Sequence, residues 1–238
     1  MATHLSTPEE ALARRLLRLS DRGALATVID PRSPAQEFGL PYASLVLVAS
    51  DLDGSPILML SDLADHSRNI AADQRVSLLL APASNAEEPL AEARLTLVGE
   101  ARPDGSERLK QRFLDRHPGA ALYAGFTDFR CYHVSCRKAH LVAGFGRIRW
   151  LDGDRLLLGP EALAFWPEAG NLAGQLNVDE TGLVERLGAI ASGSAASWRL
   201  TGIDPEGCDF RAGGQTARLH FPSKADSTAA ALELIRRV

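Results

Sequence analysis

The stretch "LMLSDLADHSRNIAADQRVSLLL", Leu58 to Leu80, runs an apolar, strand-like segment into a short polar helix and then into a second strand-like segment. Ser61, His66, Ser67, Arg68 and Asn69 stand between the two apolar runs. One reading is architectural: Ser61 or Asp62 caps the helix, Ser67 and Arg68 face water, and His66 packs on a neighbour. The other is chemical, because hydroxyls, a guanidinium and the N–H groups at a helix start are what a phosphate dianion needs.

Outward from this stretch the texture is that of a β protein. "GALATVID" reads as a short strand, "PRSPAQEFGLP" as a loop, and "YASLVLVAS" as a continuous apolar run of the kind buried on both faces. "DLDGSP" is a hairpin turn into "ILMLSD". "RVSLLLAPA" and "ARLTLVGEARP" add strands, and "DGSERLKQRFLDRHPG" is a surface helix carrying Leu109 and Phe113. "DFRCYHVSCRKAHLVAGFGRIRWLDGDRLLLG" reads as three strands, with turns at Ser135 to Lys138 and Asp152 to Asp154. Several strands of six to nine residues with only short helices between them call for a closed or half-closed barrel. Ahead of it, Thr7-Pro8-Glu9-Glu10 predicts a capping box and proline start for an amphipathic first helix.

The pattern breaks at "PEALAFWPEAGNLAG". This divides the chain into a barrel over 1–158, a linker over 159–174 and a small C-terminal α+β unit over 175–238. The last reads αβββα: helix "NVDETGLVERLGAIAS", strands "SWRLTGID", "CDFRA" and "TARLHF", and a closing helix for which Ser223 is the candidate cap.

Composition narrows the function. The 238 residues are 45% hydrophobic and 24% charged, with net charge -4 and pI near 5.9. That is ordinary for a globular protein and lacks the basic footprint that nucleic acid or an anionic membrane surface requires. No secretory leader pattern opens the chain and no apolar run approaches spanning length, so the expected address is the cytoplasm, with no membrane partner. Cys131, Cys136 and Cys208 lack CxxC spacing and read as reduced packing thiols. His66, His133 and His140 are too scattered for a preformed metal site, so none is assigned. The GxG of "VAGFGRIRW" falls between strands, without the strand-to-helix context of a dinucleotide fingerprint. No Gly-x-Ser-x-Gly elbow occurs, and the paired aspartates sit in turns.

"RGALATV", "PYASLVLVASDLDGSPILMLSDLADHSRNIAADQRVSLLL", "ARLTLVGEA" and "YAGFTDFRCYHVSCRKAHLVAGFGR" together resemble the pyridoxamine 5'-phosphate oxidase-like FMN-binding split-barrel superfamily, in its HugZ-type heme-utilisation branch. "SWRLTGIDPEGCDFRAGGQTARLHF" resembles the C-terminal α/β domain of unassigned function carried by that branch. The resemblance implies a homodimer of six-stranded antiparallel Greek-key split barrels with cofactor sites at the subunit interface.

For FMN it implies that Ser61 and Ser67 supply phosphate-binding hydroxyls and Arg68 the guanidinium, with Asn69 where the family has lysine. Ala43 stands for a second phosphate-binding arginine, Arg94 for a glutamine that contacts the flavin, and the main chain of Tyr42 to Ser44 would face the ring. His66 belongs to the same set of candidate cofactor-binding residues. For heme, the "HMNxDH" type motif of the branch is "QLNVDE" here. Gln175 and Glu180 replace the histidines, leaving His220, or else His66, as the candidate iron ligand.

The leading expectation is therefore an FMN-binding, flavin-dependent oxidoreductase acting on a small-molecule substrate, with no catalytic acid or base named. Its alternatives are a heme-binding or heme-degrading protein and a cofactor-free dimeric binding module.

Overall fold

A computed structural model of the protein describes residues 7–33, 39–81, 87–144, 146–165 and 168–238; Phe145 of the GxG and parts of the breaker-rich loops and linker lie outside that set. The first helix, α1 (Pro8–Leu19), starts as its sequence requires. The Thr7 hydroxyl accepts from the Glu10 N–H at 3.3 Å, and the Glu10 carboxylate accepts from the Thr7 N–H at 2.9 Å.

Strands β1 (Arg22–Val28), β2 (Pro41–Leu47), β3 (Ala49–Ser50), β4 (Pro56–Ser61), β5 (Arg75–Leu80), β6 (Ala93–Pro103), β7 (Phe129–Ala143) and β8 (Ile148–Asp152) form one antiparallel sheet. Its order is β2-β1-β5-β6-β7-β4-β3, with β8 added on β7. β2 and β3 are one run of chain broken only at Val48, so β2 pairs with β1 at one end of the order and β3 with β4 at the other. The sheet is thereby drawn round into a split barrel, which removes most of its free edge. Alternate residues point inward, and Leu25, Leu58, Leu78, Leu80, Leu95, Leu97, Val134 and Leu141 fill the interior with Leu16 and Leu17 of α1. Each such side chain contributes roughly 1.5–3 kcal/mol by leaving water.

Three local expectations change. Ser135 to Lys138 is not a turn: β7 runs unbroken for 15 residues, and the irregularity is absorbed by a register shift at Val98/Gly99 on β6. An added Cβ at Gly99 would lie 1.7 Å from the Ser135 carbonyl oxygen, so only glycine lets the strands close there. Asp152 to Asp154 does not turn into another strand; a single helical turn, α4 (Gly153–Leu156), follows β8. Finally, β2 is not buried on both faces, since its outward Leu45 is 75% exposed. Gly144 and Gly146 take positive φ in the β7–β8 turn, consistent with the structural reading of the GxG.

Helix α2 (Asp65–Ala72) follows β4, and α3 (Glu107–Arg116) lies between β6 and β7. The C-terminal part opens with two helices, α5 (Glu168–Asp179) and α6 (Thr181–Ser192), where the sequence suggested one, and α5 begins inside the stretch read as linker. Strands β9 (Arg199–Asp204), β10 (Gly207–Ala212) and β11 (Gln215–His220) form a second antiparallel sheet, and α7 (Thr228–Arg237) closes the chain. The α7 cap is Ser227, whose hydroxyl accepts from the Ala230 N–H, rather than Ser223. Leu52, from the turn between β3 and β4, packs into the core of this second part with Trp198, Ile203, Phe210 and Ile235.

Buried charge ties the two sheets together. Arg218 on β11 donates to Asp204 at 2.8 and 2.9 Å and to Asp209 at 2.8 Å, and Arg18 from α1 approaches Asp204 at 3.3 Å. Arg18 also donates to the carbonyls of Asp51 and Leu52. Arg112 and Arg116 of α3, expected on a surface helix, are buried and donate to carbonyls of Ser50 and Ile203 and of Arg18 and Leu19 respectively. Held between two guanidinium groups, the Asp204 carboxyl ionises far below the usual range despite the opposing effect of its burial.

Candidate functional site

The residues between β4 and β5 form two groups rather than one cradle. At the end of β4 the Ser61 hydroxyl donates to the Asp128 carboxylate at 2.6 Å and accepts from the Leu63 N–H at 3.1 Å. Arg130 pairs with Asp62 at 2.8 Å. The α2 N-cap is Ala64, with no side-chain cap, so neither Ser61 nor Asp62 caps the helix.

Asn69 is 2% exposed and fully committed: its amide donates to Thr27 at 2.9 Å and its oxygen accepts from the Asp30 N–H at 2.9 Å. This pins α2 across the end of β1. His66 meets the Ser44 hydroxyl at 3.1 Å through Nδ1, and burial, partly opposed by Asp65, lowers its pKa, so the ring is neutral near pH 7. The Ser67 hydroxyl is buried with no partner at hydrogen-bonding distance. Its polar neighbour is Tyr132, whose phenol pKa is raised by burial and by Asp62 and lowered by the approach of the Ser67 hydroxyl, short of a well-formed hydrogen bond.

Arg68 is half exposed and pairs with Asp65 at 3.0 Å. A cavity of about 490 Å³ beside α2 is lined by Asp30, Arg32, Ser33, Asp65, Arg68 and Asn69. Both arginines in it already face carboxylates of the same chain, Arg32 meeting Asp30 at 2.8 Å. A phosphate placed here would meet one acid for each base, and Ser61 would have to release Asp128 to serve it. The fit to a flavin phosphate rests on the single orphaned hydroxyl of Ser67.

Ala43 and Arg94 lie elsewhere. On β2 the side chains of Tyr42 and Ser44 turn toward the α2 side, while Ala43 lies on the outward face. Arg94, which donates to the Leu90 carbonyl at 3.0 Å, is on the outward face of β6. In strand register it stands five residues from Gly99, the row nearest Thr27, which is about 16 Å.

That outward face is the second candidate. One cross-strand row runs Leu45, Ala24, Leu79, Thr96, His140, Trp150, and neighbouring rows add Leu47, Val98 and Ile148. Trp150 is 62% exposed, and its ring lies 4.7 Å from that of His140. No helix covers this face among the described residues, and it leaves Leu45, Leu79, Val98, Ile148 and Trp150 exposed. The sequence signal for it was present in strands apolar at both parities, such as "YASLVLV". His220, at the end of β11, is exposed beside Arg218 and far from both groups in the topology. Among the described residues no three His, Cys, Asp or Glu side chains gather as a metal site.

Comparison with known proteins accords with this architecture. A model of the family described as CREG, beta-barrel matches residues 6–156. The chain is 33% identical over 147 residues to the non-canonical heme oxygenase HOZ, chloroplastic, of Arabidopsis thaliana; the match takes in 60% of this chain and 42% of that protein, so the chain spans less than half of that relative's length. A protein of unknown function from Agrobacterium tumefaciens superposes with TM-score 0.81 at 28% identity, over 100% of both chains. A heme binding protein from Mycobacterium smegmatis superposes with TM-score 0.57 at 27% identity, over 99% of this chain and 98% of that one. With a barrel closed through β2 and β3 and a family model covering it from α1 to α4, the chain belongs to the CREG β-barrel family of the FMN-binding split-barrel superfamily.

Proposed function

We propose that the protein binds heme on the outward face of its large sheet, and that a second copy of the chain covers that face. The observation that carries this reading is the imidazole of His140 set in a row of exposed apolar side chains, with Arg94 two residues away along β6 from its partner Thr96. A porphyrin needs such a surface for its rings, a base for its iron and cations for its propionates. His140 would take the iron, Trp150 and Leu79 would lie against the macrocycle, and Arg94 would hold a propionate. A bound heme would supply an iron centre for oxygen chemistry, and the apolar face would exclude water from it. The names of two relatives, a heme oxygenase and a heme binding protein, support the same reading.

Titration of the purified protein with hemin tests it. The expected result is a saturable Soret band that shifts or weakens in His140→Ala and is unchanged in His220→Ala. Absence of a Soret band in the wild-type protein would overturn the reading. Light scattering tests the pairing, with Leu45→Asp expected to give monomers.

A second reading, FMN bound at α2, is favoured by the partnerless Ser67 hydroxyl. On that reading Arg68→Ala weakens FMN binding by about 1.5–3 kcal/mol, the worth of a charge-assisted hydrogen bond. An unchanged affinity would remove Arg68 from the site.

A further inference from the structure

A second cavity, of about 610 Å³, opens where the barrel meets the small sheet. One wall is apolar, formed by Leu47, Pro118, Ala120 and the ring of Tyr123; the other carries Arg199 and Arg211. These two arginines face each other directly across β9 and β10. Like charges in that position are destabilising, and their surroundings do little to offset them. Arg211 reaches Asp21 and the Arg116 carbonyl only at 3.4 Å, while Asp21 is already held by Arg22 at 2.9 Å. Arg199 makes no ion pair among the described residues. Asp115, the carboxyl nearest to it in electrostatic effect, accepts from Gln111 and has its pKa raised by burial.

His117 lines the same cavity and adds no charge. Its Nε2 donates to the Val48 carbonyl at 2.8 Å, its ring lies 4.9 Å from that of Phe113, and burial brings its pKa down to about 4. The cavity thus pairs an apolar floor with two under-compensated guanidinium groups, and its volume is in the range of small-molecule sites.

We infer that this cavity binds an apolar small molecule carrying one anionic head group, a carboxylate or a phosphate, held between Arg199 and Arg211. The cavity meets the outward sheet face only at Leu47 on its rim, and neither arginine belongs to that face, so the inference stands or falls apart from the heme reading.

The test uses the full chain and 8-anilinonaphthalene-1-sulfonate as a fluorescent probe, displaced in turn by 2-naphthoate, 1-naphthyl phosphate and the neutral 2-naphthalenemethanol. The expected result is one saturable site per chain, displaced by an anion and not by the alcohol. The better of the two anions identifies the head group. Arg199→Gln should weaken probe binding about tenfold, as loss of a charge-assisted hydrogen bond does. Arg102→Gln, an exposed arginine of the barrel that pairs with Glu100, should leave it unchanged. Arg199 is exposed, so its substitution leaves the fold intact, and the melting temperature verifies this. Equal affinity in Arg199→Gln, equal displacement by the neutral alcohol, or no saturable binding would each overturn the inference.

Discussion

Asp204→Asn removes one charge from a fully buried ionic group while leaving volume and shape nearly constant. The wild-type carboxylate is 0% exposed, accepts two bonds from Arg218, faces Arg18 at 3.3 Å, and accepts from the Glu206 N–H at 2.8 Å. With asparagine there, Arg18 and Arg218 remain buried with Asp209 as the carboxylate bonded to Arg218, and the amide NH₂ points a donor at guanidinium donors. Losing one partner of a buried pair in this way costs about 3–5 kcal/mol, which in a chain of this size lowers the melting temperature by roughly 6–20 °C. Because Arg18 belongs to α1 and Arg218 to β11, the small sheet should also loosen from the barrel before the barrel melts. Urea unfolding followed by far-ultraviolet circular dichroism would show a broadened or two-step transition. The double variant Arg18→Met/Asp204→Asn should recover part of the loss, giving a coupling free energy above about 1 kcal/mol in a double-mutant cycle. A cost below 1 kcal/mol for Asp204→Asn, or additivity within about 0.5 kcal/mol, would refute the reasoning.

Other outcomes follow from single side chains. His117 is neutral in the folded protein, with a pKa of about 4 against 6.5 when free. The unfolded chain therefore binds the extra proton between those values, and stability falls by up to about 3 kcal/mol as pH drops from about 6.5 to about 4. His117→Phe should flatten that segment of a stability-versus-pH curve, and an unchanged slope would assign the loss to other groups. Asn69→Ala leaves the Asp30 N–H and the Thr27 hydroxyl without their partner at the base of α2, a cost of about 1–3 kcal/mol measurable by denaturant titration. Hydrogen exchange at the α2 amides should rise in the same variant, and equal protection would show that α2 is held by packing instead.

Much of the barrel was legible because its signals are local. The Thr7 to Glu10 box, the alternation of Val76, Leu78 and Leu80, and the turn at Asp51 to Ser55 each declare themselves within a few residues. The misreadings share a different cause. Ser135 to Lys138 is polar enough for a turn, and its pairing with β6, more than thirty residues upstream, and with β8 at Lys138 keeps it extended. Arg112 and Arg116 sit on a helix whose charge pattern is that of a surface, yet the carbonyls that receive them lie in other elements. The site was half legible for the same reason. Ser61 and Asn69 have the right chemistry for a phosphate, but Asp128 and Thr27, which occupy them, are 67 and 42 residues distant. His140 looked solitary until strand register placed it in the same row as Leu45, Leu79 and Trp150.

The length of β7 bears on the order in which the protein is made. This strand pairs with β4 through its first residues, with β6 along most of its course, and with β8 through its last. On a ribosome, β1, β2 and β5 therefore emerge able to pair with one another while β4 has only the two residues of β3 beside it, their apolar parities turned to water and available to any other exposed strand. Closure waits for residue 143 and depends on contacts distant in sequence, which places the rate-limiting step late and makes it slow for a chain of this size. A chaperone that shields unpaired strands would act on this protein during the interval between the appearance of Leu80 and that of Ala143.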